Sequence, residues 1–102
     1  MHMLIVLGSP RINGNSEILA QHVAKGVESG GGTVEYIRLS HLNLSPCEGC
    51  GGCEGTGICV IEDDMPDIYE RVDAADRVLV VSPVYFYGLT AQTKTFIDRS
   101  QA

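Results

Sequence analysis

The chain has 102 residues, 44% of them hydrophobic, and a formal net charge of −6. That length gives one domain at most, with enough surface to bury a modest core. The acidic balance argues against nucleic acid and anionic membrane as main partners, and no low-complexity tract or repeat departs from ordinary soluble globular composition.

Residues 3–7 form a continuous apolar run that stops at Gly8. The run is too short for a signal peptide, no Lys or Arg precedes it, and nothing in the chain approaches transmembrane length, so a cytoplasmic location is expected. It predicts a strand buried on both faces, as in a parallel sheet. Residues 9–15 are rich in Ser, Pro, Asn and Gly and predict a loop. Asn15 or Ser16 is placed to cap a helix to about residue 29, with Leu19, Val23 and Val27 at i+4 spacing and Ile18 beside them. Gly30, Gly31 and Gly32 end it.

Residues 33–39 predict a second strand, and Glu35 and Arg38 give it the mixed polarity of a sheet edge. Residues 40–61 are a long connection, a length that in compact domains usually signals function or disorder. A helix follows to about residue 75, capped by Asp63 or Asp64, with Pro66 in its first turn and Ile68, Tyr69 and Val72 facing inward. Residues 77–81 are apolar enough to predict a central strand. Residues 82–88 form a loop, and a last helix starts near Leu89, with Lys94 and Asp98 as an i,i+4 pair.

The order β-α-β-loop-α-β-α predicts an α/β fold, a parallel sheet with right-handed crossovers. The commonest solution places the first strand in the middle, strand order 2-1-3. The loops after strands one and three then meet at the topological switch point, where ligands bind.

Both of those loops are chemically unusual. The first, residues 8–16, collects hydroxyls, amides and backbone N–H groups at a helix N-terminus, which makes a phosphate cradle. It carries neither G-x-x-x-x-G-K-[ST] nor G-x-G-x-x-G, which excludes a Walker loop and argues against a dinucleotide Rossmann site. The plain alternative is a capped turn. The second loop is Ser82-Pro83-Val84-Tyr85-Phe86-Tyr87-Gly88. Successive residues at a strand end point opposite ways, so at least one of its three aromatics should be exposed, where a flat ring could stack on it. Gly88 allows close backbone approach. The alternative is a core Phe86 between two half-buried tyrosines.

All four cysteines lie in the long connection, as Cys47, Cys50, Cys53 and Cys59. A C-x2-C-x2-C run brings three thiolates round one point, and the fourth returns after a short Gly-rich loop, a pattern able to enclose an iron–sulfur cluster or a metal. Structural zinc favours two separated C-x2-C knuckles. Cluster, zinc, and free or adventitiously oxidised thiols all remain open on the residues alone. His2, His22 and His41 have no partner at ligand spacing, and no nucleophile–base pair is evident.

Gly-Ser-Pro-Arg-x-x-Gly-Asn-Ser after the first strand and Ser-Pro-Val-Tyr-x-Tyr-Gly after the third resemble the flavodoxin-like NADPH-dependent FMN reductase family. With the cysteines between them, the chain resembles that family's iron–sulfur flavoproteins. The resemblance implies a flavodoxin-like three-layer sandwich and an FMN-dependent oxidoreductase that takes electrons from NAD(P)H or ferredoxin. It implies that Ser9, Arg11, Asn15 and Ser16 hold the FMN phosphate, with Arg11 the only strong cation near it. Pro83, Val84, Tyr85, Phe86, Tyr87 and Gly88 would lie beside the ribityl chain and ring. Cys47, Cys50, Cys53 and Cys59 would hold a 4Fe–4S cluster near FMN as an electron relay.

Family members have five strands, whereas residues 1–102 reach only the helix after strand three. The expectation is therefore a single truncated domain with a cysteine-rich insertion at about residues 45–61, strands four and five absent, and strand three an open apolar edge that drives homo-oligomerisation. The competing expectation is a non-catalytic half-flavodoxin scaffold.

Overall fold

Three strands, β1 (His2–Leu7), β2 (Thr33–Arg38) and β3 (Arg77–Val81), form a parallel sheet in the order β2-β1-β3 in a computed structural model that describes residues 1–101. The register pairs Leu7 with Arg38 on one side and with Val81 on the other. β1 is central because successive apolar residues supply both of its faces, and Leu4, Ile5, Val6 and Leu7 are each no more than 3% exposed.

Helices cover both sides. Ile5 and Leu7 pack with Val81 against Ala20 and Ala24 of α1 (Asn15–Ser29). Leu4 and Val6 pack with Ile37, Leu39, Met65, Ile68 and Phe96, the last three supplied by α3 (Met65–Ala74) and α4 (Ala91–Arg99). This is the flavodoxin-like, three-layer arrangement expected. Each fully buried Leu or Ile contributes about 1.5–3 kcal/mol.

Three expectations are corrected. Leu19 and Ile18 do not face the core; they are exposed, and the alanines take their place. Consecutive helix positions lie about 100° apart, so the stripe through Ala20 and Ala24 turns Leu19 away, and small side chains let α1 approach the sheet closely. Neither Asn15 nor Ser16 caps α1: Gly14 is the N-cap, and no side chain caps it. The third concerns burial: the apolarity of β3 predicted a central strand, but among the described residues β3 lies at the edge that the 2-1-3 order gives it. Its Val78 and Val80 are 42% and 37% exposed, while Leu79 and Val81 pack toward α1.

The long connection is zipped at its neck. Asn43 N–H donates to Asp64 Oδ2 at 2.6 Å, Asp64 N–H to the Asn43 carbonyl at 3.0 Å, and Ser45 N–H to Asp63 Oδ2 at 2.9 Å. Its ends are thus close, and its tip folds on itself as a compact surface loop. Within it lies the short α2 (Gly52–Thr56), bracketed by Gly51 at φ 75° and Gly57 at φ 72°, positions that favour glycine. No helix among the described residues is long and apolar enough to cross a membrane.

Candidate functional site

The loops after β1 and β3 meet, as the strand order requires. Ser9, Arg11, Gly14, Asn15 and Ser16 from the first and Pro83 and Tyr85 from the second line one cleft of about 120 Å³. Val84, Phe86, Tyr87 and Gly88 do not line it.

The first loop is braced from beneath. Arg38 Nη1 donates to the carbonyls of Arg11 at 3.1 Å and Ser9 at 3.4 Å, while its Nη2 pairs with Glu17. Glu17 Oε1 also accepts Asn13 N–H at 2.9 Å, and Ser9 Oγ accepts Arg11 N–H at 3.1 Å. Arg38 first, then Asn13, hold the Glu17 carboxyl below the usual carboxylate range, against the opposing effect of burial. Arg11 is therefore not the only cation near this loop. The β1–β2 register delivers Arg38 there, but Glu17 occupies its charge, and Arg11 stays exposed beside the uncapped N-terminus of α1. Free N–H groups, a helix dipole and a cation converge there, an arrangement that suits an anion.

A buried hydroxyl network ties this loop to the second. Thr90 Oγ1 donates to the Gly8 carbonyl at 2.7 Å and lies 2.7 Å from Thr93 Oγ1, while Thr90 N–H donates to Ser82 Oγ at 3.1 Å. Thr90 and Thr93 are fully buried. Gly8 is required here, since a Cβ would stand 1.9 Å from Thr93 Oγ1 and 3.0 Å from the Val81 carbonyl. By contrast, a Cβ on Gly88 would meet no protein atom closer than 3.9 Å.

The second loop ends in a hairpin closed by Tyr85 N–H to the Gly88 carbonyl at 2.9 Å and Gly88 N–H to the Tyr85 carbonyl at 3.0 Å. Phe86 and Tyr87 form its tip at φ 47° and 63°, as a type I′ turn requires. Left-handed backbone at non-glycine residues costs on the order of 1–3 kcal/mol each. The two residues are 93% and 95% exposed, so Phe86 is not core.

All four cysteines line a second cavity, of about 100 Å³, together with Arg99 and Gln101. They are free thiols. Cys47 Sγ accepts from Gly49 N–H at 3.4 Å and from Gln101 Nε2 at 2.9 Å. No three described His, Cys, Asp or Glu residues are grouped to hold a metal ion. The neck below is an ion pair: Arg99 and Asp63 side chains are each 1% exposed and joined by a two-bond fork of 2.6 and 3.1 Å. Arg99, opposed by burial, holds Asp63 at about 2, with help from Ser45 and Met65 N–H groups. Asp63 in turn raises Arg99, again against burial, with Cys59 adding in the same direction.

Arg38, Glu17, Ser82, Thr90, Thr93 and Arg99 were not legible as site residues. Two signals existed. Thr90 stands directly before a helical stripe, where a cap belongs, and its hydroxyl accepts Thr93 N–H at 3.2 Å. Arg99 follows Phe96 at i+3, on the buried stripe.

The whole of residues 1–102 matches the NADPH-dependent FMN reductase family model. An iron-sulfur flavoprotein of Archaeoglobus fulgidus is 43% identical over 94 residues, 92% of this chain and 43% of that protein. One of Methanocaldococcus jannaschii is 38% identical over 101 residues, 99% of this chain and 52% of that protein. The solved structure of RosB, with a bound 8-demethyl-8-formylriboflavin-5'-phosphate intermediate, shares the fold at TM-score 0.77 and 15% identity, over 99% of this chain and 42% of that one. The chain thus spans about half the length of the curated relatives it matches. With one family model matched from end to end and a parallel β2-β1-β3 sheet beneath the cleft, the chain belongs to the NADPH-dependent FMN reductase family.

Proposed function

We propose that the chain is the FMN-binding part of a flavin-dependent oxidoreductase whose cysteine loop holds a 4Fe–4S cluster. One observation carries the flavin reading: residues from two separate loops line a single cleft at the uncapped N-terminus of a 15-residue helix. Ser9, Arg11, Asn15 and Ser16 bind the phosphate, with Arg11 facing its charge and the first-turn N–H groups of α1 donating to it. Pro83, Val84, Tyr85, Phe86, Tyr87 and Gly88 flank the ribityl chain and ring, and the exposed aromatics of the hairpin shield that ring from water. Arg38 and Glu17 keep the phosphate loop in place.

Cys47, Cys50, Cys53 and Cys59 fit a cluster in their donor chemistry and in facing one common cavity. The curated relatives' description as iron-sulfur flavoproteins supports this reading. When bound, FMN exchanges one or two electrons and the cluster one. Electrons come from NAD(P)H or ferredoxin, thiol ligands fit a reducing cytoplasmic compartment, and homo-oligomerisation completes this reading.

The test is the visible spectrum, with iron and sulfide content, after anaerobic reconstitution. Flavin bands and bound iron are expected in wild type. Cys59→Ser should lose the iron and keep the flavin. A protein without flavin bands would instead favour a scaffold, and zinc uptake in preference to iron would remove the cluster.

A further inference from the structure

The cysteine cavity has a charged wall that its ligand set does not explain. Arg99 lines it, and the side chain is 1% exposed. Nη1 donates to Asp63 Oδ2 at 2.6 Å and to the Ser45 carbonyl at 2.7 Å, and Nη2 donates to Asp63 Oδ1 at 3.1 Å. Nε is buried and has no partner among the described residues. Leaving a donor of a charged group unused in the interior is costly, so such a group calls for an acceptor.

The two halves of the ion pair are unequal. Asp63 is saturated: beyond the guanidinium, Oδ2 accepts Ser45 N–H at 2.9 Å and Oδ1 accepts Met65 N–H at 3.0 Å. Asp63 does not line the cysteine cavity, whereas Arg99 does, beside Cys59. The carboxylate fixes the guanidinium from behind as a rigid fork. That leaves the cavity side as the place where Nε–H can find an acceptor. Glu48, Glu54 and Gln101 line the cavity as well as the four cysteines, but Cys59 is the one lining residue close enough to act on the Arg99 guanidinium.

We propose that Arg99 is a positioning residue for the group the cysteines hold, donating Nε–H to the sulfur of Cys59 or of the bound cluster. The proposal rests on the cluster reading above. Hydrogen bonds and positive charge beside cluster sulfur favour the reduced, more negative state, and partners of this kind also strengthen metal retention.

The test uses the whole chain, reconstituted anaerobically. Arg99→Lys keeps a cation for Asp63 and loses the Nε–H donor. Its reduction potential should fall, and its iron should pass to a chelator about tenfold faster, while FMN affinity and far-UV circular dichroism stay at wild-type values. A merely structural ion pair would leave the potential unchanged. Should Arg99→Lys fail to fold, wild-type protein labelled with 15N-arginine decides. Pulsed electron paramagnetic resonance of the reduced cluster should show a 15N coupling, because Arg99 is the only arginine among the described residues that lines the cavity. Iron bound without that coupling, or Arg99→Lys with wild-type potential and iron retention, overturns the role of Arg99 and leaves the cluster standing. Wild type that takes up no iron overturns both.

Discussion

The phosphate loop and the cysteine loop follow opposite designs. The phosphate loop is short, rises directly from the central strand and is braced from below by Arg38, Glu17 and the buried Thr90–Thr93 pair. Its geometry is braced by protein groups alone, and no side chain caps the helix N-terminus it leads into. The cysteine loop is long and has one short helix. Its cysteines are half-buried or exposed, and it is fixed mainly at the neck, where Asp63 and Arg99 clamp it. One loop is held in shape by the sheet and its braces, and the other carries its thiols above a clamped neck. Loss of a brace should therefore weaken binding in the first, and loss of the clamp should destabilise the second.

The largest expected effect is at the clamp. Asp63→Ala leaves a buried guanidinium without its partner, which costs about 3–5 kcal/mol. The urea midpoint should fall steeply, whereas Cys50→Ser in the exposed tip should hardly move it. Equal midpoints for the two variants would erase the contrast between neck and tip.

Next comes Arg11→Ala, which removes a charge-assisted contact worth about 1.5–3 kcal/mol. FMN affinity, followed by fluorescence quenching, should drop roughly tenfold to a hundredfold, with thermal stability unchanged because Arg11 is exposed. Unchanged affinity would assign the phosphate to backbone and hydroxyls alone.

Acid should act on the neck as well. Asp63 moves from an ordinary 3.8 to about 2 in the folded chain. The depressed value means that its stabilisation is complete above the unfolded value and is lost as pH falls from 3.8 toward 2. The share is on the order of 2 kcal/mol. Comparing the pH dependence of unfolding in wild type and Asp63→Asn isolates it, and identical profiles would contradict the assignment.

The smallest effect is at the brace. Glu17→Gln weakens the hold on Arg38 and on Asn13 N–H by about 1 kcal/mol, so FMN should bind roughly fivefold more weakly. A fall as large as that of Arg11→Ala would mean that the loop is shaped by its brace more than by its ligand.

Local chemistry made much of this legible. The apolar run in β1, the glycine stop after α1 and the loop composition of residues 8–16 predicted the elements and the sheet order. Chain order then brought Ser9, Arg11, Asn15, Ser16, Pro83 and Tyr85 to one cleft, and the thiols of Cys47, Cys50, Cys53 and Cys59 to one cavity. Tertiary structure alone decided the rest. Parallel register put Arg38 beneath the phosphate loop. Close packing chose Ala20 and Ala24 over Leu19 and fixed Gly8 against Thr93. The clamp joins Arg99 to Asp63, 36 residues apart. Periodicity records which residue types suit a strand or helix, whereas a partner distant in sequence is set by how the layers stack, and no local pattern encodes that distance.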